Sequence, residues 1–237
     1  LGAPVGTDDF IRAHMAEVIE SSGTRALATH LSEMEDKQVA WLLNSWSLSS
    51  RLGYLVRVTP PHLARSTMEQ ADNTSLWTLE RIMEIADATE GTDFFEGGCN
   101  SRSLRLETHQ QVQAQMPTSA GGLGLSSMKH RQHAAFVGSL VATLPTLLAR
   151  QQGPHGESFS QAVRTSPTIK ALGVSIHTLL STGVPLEDLT EIIGQDWVTW
   201  GGTAPPAPTP EVHILAAHDA RITRRAQHEI TRLLNRI

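Results

Sequence analysis

Apolar residues recur at intervals of three and four in one segment after another along this chain, and this spacing constrains its fold most. In the first segment, Ile11, Met15, Val18 and Ile19 would share one side of a helix that Thr7 can cap and that ends near Gly23. Because the same spacing returns downstream, the sequence predicts an all-α fold, an irregular bundle of several helices.

Further helices are predicted at 26–34, 37–47, 62–87, 126–148, 167–180, 185–194 and 210–237. The helix at 37–47 places four apolar residues on one side: Val39, Leu42, Leu43 and Trp46. The long helix at 62–87 is expected to be amphipathic. Its core side would carry Leu76, Leu79, Met83 and Ala86. Its water side would carry Glu80, Glu84 and Asp87.

A glycine-rich block interrupts the helical pattern at 117–125, where Pro117 is followed by Gly121, Gly122 and Gly124. Glycines so closely spaced indicate a tight turn or a close approach of main chains. The block lacks the Gly-Lys-Ser/Thr ending of a phosphate-binding loop and the Gly-x-Gly-x-x-Gly spacing of a dinucleotide site. We therefore expect an extended structural junction that lets Leu123 and Leu125 dock into the core.

This block, a Pro-x-x-x-Gly-Gly-Leu-Gly-Leu sequence that opens an Ala-rich helix, resembles the region beyond the catalytic palm in reverse transcriptases of non-LTR retrotransposons. The stretch from Leu1 to Phe10 is similar to the point where that family leaves its primer-grip strand and enters the helical thumb. The segments at 36–40 and 51–61, the latter an Arg-x-x-Tyr-x-x-Arg block followed by proline, are similar as well.

The resemblance covers residues 1–150 and implies a thumb and connection domain there. It implies that the chain helps to hold an RNA template and a DNA primer for the parent polymerase. This chain lacks the fingers, the palm and the catalytic aspartates of that family. The resemblance therefore implies that the chain carries no catalytic site of its own and that magnesium would bind only in the missing palm. Beyond Arg150 the resemblance is much weaker, and residues 151–237 are expected to form a smaller helical region with a Pro-rich loop at 201–210.

Charge is segregated along the sequence. The formal net charge of −5 argues against a free-standing nucleic-acid binder, because phosphate contacts need concentrated Lys and Arg. Between Lys37 and Met68, however, there are four basic residues and no acid, whereas 69–96 holds eight carboxylates and only Arg81. The residues predicted to contact nucleic acid are Arg51, Tyr54, Arg57, Arg65, Arg102, Arg105, Lys129 and Arg131. The alternative for 51–65 is a solvated face with Tyr54 packed inward.

Other candidate sites have simpler interpretations. Asp8 and Asp9 follow Gly-Thr and precede a helix, which favours stabilisation of the first helical turn over magnesium binding. The histidine pairs lack a His-Glu-x-x-His pattern, so no metal site is predicted at His130 and His133, or at His213 and His218. The single cysteine, Cys99, has no sequence-local base and excludes an internal disulfide.

The expected setting is intracellular, with nucleus and cytoplasm both open, and no membrane partner is expected because no run approaches the roughly 20 apolar residues that span a bilayer. The chain begins with Leu1, which leads us to expect a fragment of a longer reading frame. The alternative function is a non-catalytic helical interaction module or a decayed element remnant. Its last helix, 210–237, would then pair with a partner helix through Ile222, Ile230, Leu233 and Ile237.

Overall fold

The computed structural model describes residues 2–85, 104–150 and 166–193, with the side chains of 144–150 and 191–193 outside the description. In these ranges the secondary structure is helical and contains no strand, which confirms the predicted all-α fold. The helices are α1 (Asp8–Ser21), α2 (Thr24–Glu33), α3 (Lys37–Leu43), α4 (Leu55–Val58), α5 (Pro61–Ile82), α6 (Thr108–Gln115), α7 (Met128–Arg150), α8 (Pro167–Ser181) and α9 (Leu186–Ile193). A π-helical segment, Asn44–Leu48, continues α3, and a 3₁₀ turn spans Thr118–Ala120.

The chain divides into two compact units. Within the described residues, the first comprises 2–55, 63–85 and 104–130, and the second comprises 56–62, 131–150 and 166–193. The boundary predicted after residue 150 adjoins 151–165, which lie outside the described residues, and stays a prediction. The Pro-rich loop at 201–210 and the helix predicted at 210–237 also lie outside them.

The first helix forms as its sequence predicts. The side-chain oxygen of Thr7 accepts a hydrogen bond from the backbone N–H of Phe10 at 3.4 Å, and Asp8 and Asp9 occupy the first turn. The core-facing side buries Ile11, Met15, Val18 and Ile19. After Ser22, Gly23 adopts a φ of +69°, a value that L-residues with a Cβ rarely take, and the chain enters α2.

The side of α3 that carries Val39, Leu43 and Trp46 faces solvent, with Leu42 half-buried beside them. The opposite side provides the packing surface, through Ala40 and, in the π-helical segment, Asn44, Ser45 and Leu48. The predicted grouping on one side is therefore right, but the buried side is the smaller and more polar one.

α5 is buried on every side in its second half. Every residue from 74 to 80 is buried, a stretch of nearly two helical turns. The amphipathic pattern predicted for this helix is therefore wrong at two positions, because Glu80 is 3% exposed and Met83 is 53% exposed. The helix ends at Ile82, before Glu84, which is exposed as expected. Ala86 and Asp87 lie outside the described residues.

Polar side chains of α5 make the contacts that explain this burial. The hydroxyl of Thr67 donates to the backbone oxygen of Met15 in α1 at 2.8 Å. Asn44 and Ser75 form two hydrogen bonds: the Asn44 amide donates to the Ser75 backbone oxygen at 3.0 Å, and the Ser75 hydroxyl donates to the Asn44 side-chain oxygen at 2.8 Å. A carboxylate oxygen of Glu80 accepts from the backbone N–H of Leu106 at 2.9 Å. These buried polar groups are satisfied by other segments of the same unit.

The glycine-rich block is a structural junction. Gly121 and Gly124 adopt φ values of +81° and +74°, and a Cβ added to Gly122 would overlap the backbone of Met116. The N–H of Gly124 donates to the Met116 oxygen at 2.9 Å, which draws the chain back toward α6. The block is less extended than predicted, because the 3₁₀ turn precedes its glycines.

After this turn, Leu125 enters a buried cluster with Leu76 and Leu79 of α5 and with Leu106, and Leu123 packs on the cluster's edge. This is the docking that the sequence predicts for the two leucines.

In the second unit, Ser166 caps the amino end of α8: its hydroxyl oxygen accepts from the N–H of Ile169 at 3.3 Å. Its buried side carries Leu172, Ile176 and Leu179. The 131–150 part of α7 buries residues on one side as well, at Ala134, Ala135, Phe136, Val137 and Val141.

Candidate nucleic-acid interface

Arg51 is exposed, but its side chain already makes hydrogen bonds within the fold. Its Nε and Nη2 atoms donate to the backbone oxygen of Ser22 at 2.9 and 2.5 Å. A guanidinium at this place satisfies a carbonyl at the end of α1 and complements the negative end of the helix dipole. Arg51 therefore ties the end of α1 to the segment after the π-helix, and only its remaining donors could reach a phosphate.

Arg65 and Lys129 share one carboxylate. The Lys129 ammonium lies 2.8 Å from the Glu69 Oε1 atom, and the Arg65 Nε atom lies 3.4 Å from the same oxygen. The hydrogen bond from Lys129, more than the one from Arg65, holds the pKa of Glu69 below its ordinary value. Two of the predicted phosphate-binding cations are thus partly neutralised by an acid that the sequence analysis did not assign to the site. The spacing of four residues between Arg65 and Glu69 on a helix does predict that ion pair from the sequence.

Asp72 fixes the start of α7, and with it the position of Lys129. Its carboxylate accepts from the Ser127 hydroxyl at 2.6 Å and from the backbone N–H groups of Met128 and Lys129 at 2.6 and 3.1 Å. The Ser127 oxygen in turn accepts from the N–H of His130 at 3.1 Å, as expected for the residue that caps this helix. Burial raises the pKa of Asp72 to about 6, against the lowering effect of these hydrogen bonds.

In the second unit, Arg57 lies close enough to Arg131 for its positive charge to act on the Arg131 guanidinium. Burial lowers the pKa of Arg131, and the positive charge of Arg57 lowers it further. Arg57 is exposed at the end of α4, whereas Arg131 is half-buried on α7. Two guanidinium groups brought together repel each other, and an anion such as a phosphate between them would relieve that repulsion.

The remaining predicted residues are more scattered. Tyr54 is 52% exposed, so the alternative in which its ring packs inward is wrong and the ring can offer a stacking surface. Arg105 is exposed, and its Nη1 atom donates to the backbone oxygen of Ile85 at 3.3 Å. Arg102 lies outside the described residues. Within the predicted set, Arg57 and Arg131 are thus linked by a charge interaction in the second unit, and Arg51, Arg65, Lys129 and Arg105 make contacts with other residues of the first unit.

In the described part of the chain, no three His, Cys, Asp or Glu side chains come together in a way that could hold a metal ion. None of the helices in those ranges combines the length and apolar character needed to cross a bilayer. His213, His218 and Cys99 lie outside the described residues.

Comparison of the chain with protein-family models, with curated proteins and with solved structures found no match.

Proposed function

We propose that this chain is part of a retroelement reverse transcriptase and helps to hold template–primer nucleic acid, without carrying the polymerase catalytic site itself. The proposal is supported by the sequence resemblance over residues 1–150 and by the charge that the exposed Arg57 exerts on the half-buried Arg131. RNA–DNA hybrids present phosphates at regular intervals, and paired guanidinium groups bind phosphate oxygens well. In the first unit, the exposed ring of Tyr54 would offer a separate stacking surface for an unpaired base.

The paired arginines are the sharpest point at which to test binding. We expect Arg57→Ala and Arg131→Ala each to weaken affinity for an RNA–DNA hybrid and to reduce the slope of log affinity against log salt by about 1, as for the loss of one phosphate contact. Arg12→Ala is the matched control, because Arg12 is an exposed arginine of α1 outside the predicted set. Fluorescence anisotropy with a labelled hybrid at several salt concentrations would measure the slopes. Equal effects of all three substitutions, or no binding at low salt, would contradict the proposal.

The existence of a parent polymerase can be tested on the genomic sequence. If the thumb assignment is right, the genomic sequence upstream of the Leu1 codon should encode, in the same frame, an Ala-Asp-Asp-type palm motif within roughly 100 residues, the size of a domain portion. Absence of such a motif would reduce the resemblance to a coincidence of helices and glycines.

A second function, a helical protein-interaction module, is favoured by a different observation. The exposed side of α3 carries Trp46, which is 75% exposed, together with Val39 and Leu43. Large apolar residues grouped on a surface mark interaction sites more often than isolated ones do. Association with another protein chain, with no hybrid binding under any salt condition, would favour this second function over the first.

A further inference from the structure

The solvent-facing side of α3 and its π-helical continuation forms an apolar surface, which we call the α3 face and define by Val39, Leu42, Leu43 and Trp46. Val39 and Leu43 are about two-fifths exposed, at 40% and 39%, and Trp46 is 75% exposed. Because α3 (Lys37–Leu43) and the π-helical segment (Asn44–Leu48) are contiguous, these side chains project from one continuous helical rod. Burying them against a partner would remove a large apolar area from water.

The sequence around this face is uncharged. No Asp, Glu, Lys or Arg occurs from Gln38 to Ser50, a stretch that contains the whole face. Exposed helix sides normally carry charged residues, and phosphate binding requires cations. The chemistry of the α3 face therefore fits an apolar helical partner and does not fit a nucleic-acid backbone.

Charges at the two ends of the rod have opposite sign. Exposed Glu33, Glu35 and Asp36 precede its amino end, and exposed Arg51 follows its carboxyl end. Lys37, the first residue of the rod, lies 4.0 Å from a carboxylate oxygen of Glu84, so the amino end stays acidic on balance. An antiparallel copy of the same rod, related by a two-fold axis between Leu42 and Leu43, would set Val39 opposite Trp46. The same register would bring Arg51 of each copy toward Glu33 and Glu35 of the other. The face is thus complementary to itself in its apolar positions and in its flanking charges, as a two-fold interface requires.

We propose that the α3 face is a homodimer interface in which two copies of this chain pair through antiparallel α3 rods. The contact is small, so the dimer belongs to the weak class of interfaces, which bury less than about 1,200 Å² in total. Its apolar centre supplies the affinity, and the charged ends set the antiparallel direction. This inference does not depend on the proposed role in nucleic-acid binding, since it uses neither Arg57 nor Arg131.

Sedimentation of the full chain over a concentration series tests the pairing. We expect the mass to rise from monomer to dimer with concentration. We expect Trp46→Ser to raise the dissociation constant at least about tenfold, as for the loss of an aromatic anchor residue. Val112→Ser is the matched control, because Val112 is an apolar residue that is 55% exposed and belongs to a different helix, α6. Circular dichroism of both variants would verify that each remains helical. A chain that stays monomeric at the highest concentration, or equal weakening by both substitutions, would overturn the proposal.

Cross-linking tests the register. In a Cys99→Ser background, Leu43→Cys should react with its own counterpart through a short bismaleimide, because it lies beside the two-fold axis. Val39→Cys should not, since its counterpart lies opposite Trp46, seven residues and about 10 Å along the rod. Efficient linkage of both variants would contradict the antiparallel register.

Other occupants of the face have their own signatures, and each would overturn the homodimer. Trp46 emission that is quenched by single-stranded RNA in a monomeric chain would show base stacking. Blue-shifted Trp46 emission at all concentrations in a monomer, identified by its loss in Trp46→Ser, would show that another segment of the same chain covers the face.

Discussion

Asp72 is the residue on which the amino end of α7 depends. Its carboxylate accepts three hydrogen bonds from 127–129, yet its burial raises the pKa to about 6. A carboxyl group with a raised pKa holds its proton more tightly in the folded chain than in the unfolded one. Its contribution to stability is therefore fully present below the unfolded pKa, near 4, and is lost as the pH rises through about 6.

This linkage predicts a pH-dependent difference between the natural chain and Asp72→Asn. From pH 4 to pH 7, the free energy of unfolding of the natural chain should fall relative to that of the variant, which has no carboxyl group to titrate at this position. Urea unfolding at several pH values would measure the difference, and carboxyl NMR of Asp72 would locate its titration. A carboxyl that titrates at or below its ordinary pKa of 3.8 would show that the three hydrogen bonds outweigh burial.

The glycine junction offers a second test at single residues. Gly122→Ala should destabilise the fold by about 2–3 kcal/mol, because the new Cβ meets the Met116 backbone, which cannot move aside as a flexible side chain can. Gly121→Ala is the matched variant: its Cβ would meet no atom within 4 Å, so only its φ of +81° is strained, at about 1 kcal/mol. Thermal unfolding would compare the two. A larger loss for Gly121→Ala would mean that backbone conformation, and not close packing, governs the junction.

For the helices, the sequence predicts a buried side well only where the surroundings of the helix are simple. The spacing of Ile11, Met15, Val18 and Ile19 predicts the buried side of α1 correctly, because one side of that helix meets the core and the other meets water. The same reasoning fails for α5. The hydroxyls of Thr74 and Thr78 bond to the preceding turn of α5 itself. Other buried polar residues reach distant segments, and no local spacing reveals that Glu80 meets Leu106 or that Ser75 meets Asn44.

Contacts between distant residues also decide which predicted residues of the candidate interface could bind nucleic acid. The sequence shows that basic residues are segregated along the chain, but it cannot show which groups each of them contacts. Arg51 binds the Ser22 carbonyl through a contact between residues 29 apart, and Lys129 reaches Glu69 across the first unit. Only the Arg65 to Glu69 pair follows from spacing alone.

Two substitutions at Glu80 test this account of α5. Glu80→Gln should change stability little, because an amide oxygen can still accept from the N–H of Leu106 while the cost of a buried charge disappears. Glu80→Ala leaves that buried N–H without an acceptor and should cost about 1–3 kcal/mol. Chemical unfolding of both variants measures the contrast. If the alanine variant were as stable as the glutamine variant, water would be replacing the carboxylate, and Glu80 would not anchor the segment before α6.

At the scale of the whole molecule, net charge decides how nucleic acid could be held. With a formal net charge of −5, the chain repels a polyanion at long range, so any binding must come from short contacts at locally basic groups. Two or three phosphate contacts predict that affinity for an RNA–DNA hybrid falls about 10- to 40-fold between 50 and 200 mM salt. Anisotropy titrations at both salt concentrations measure this ratio directly. A salt-independent affinity would place the binding energy in stacking by exposed aromatic rings such as Tyr54, and the paired arginines would then have no part in it.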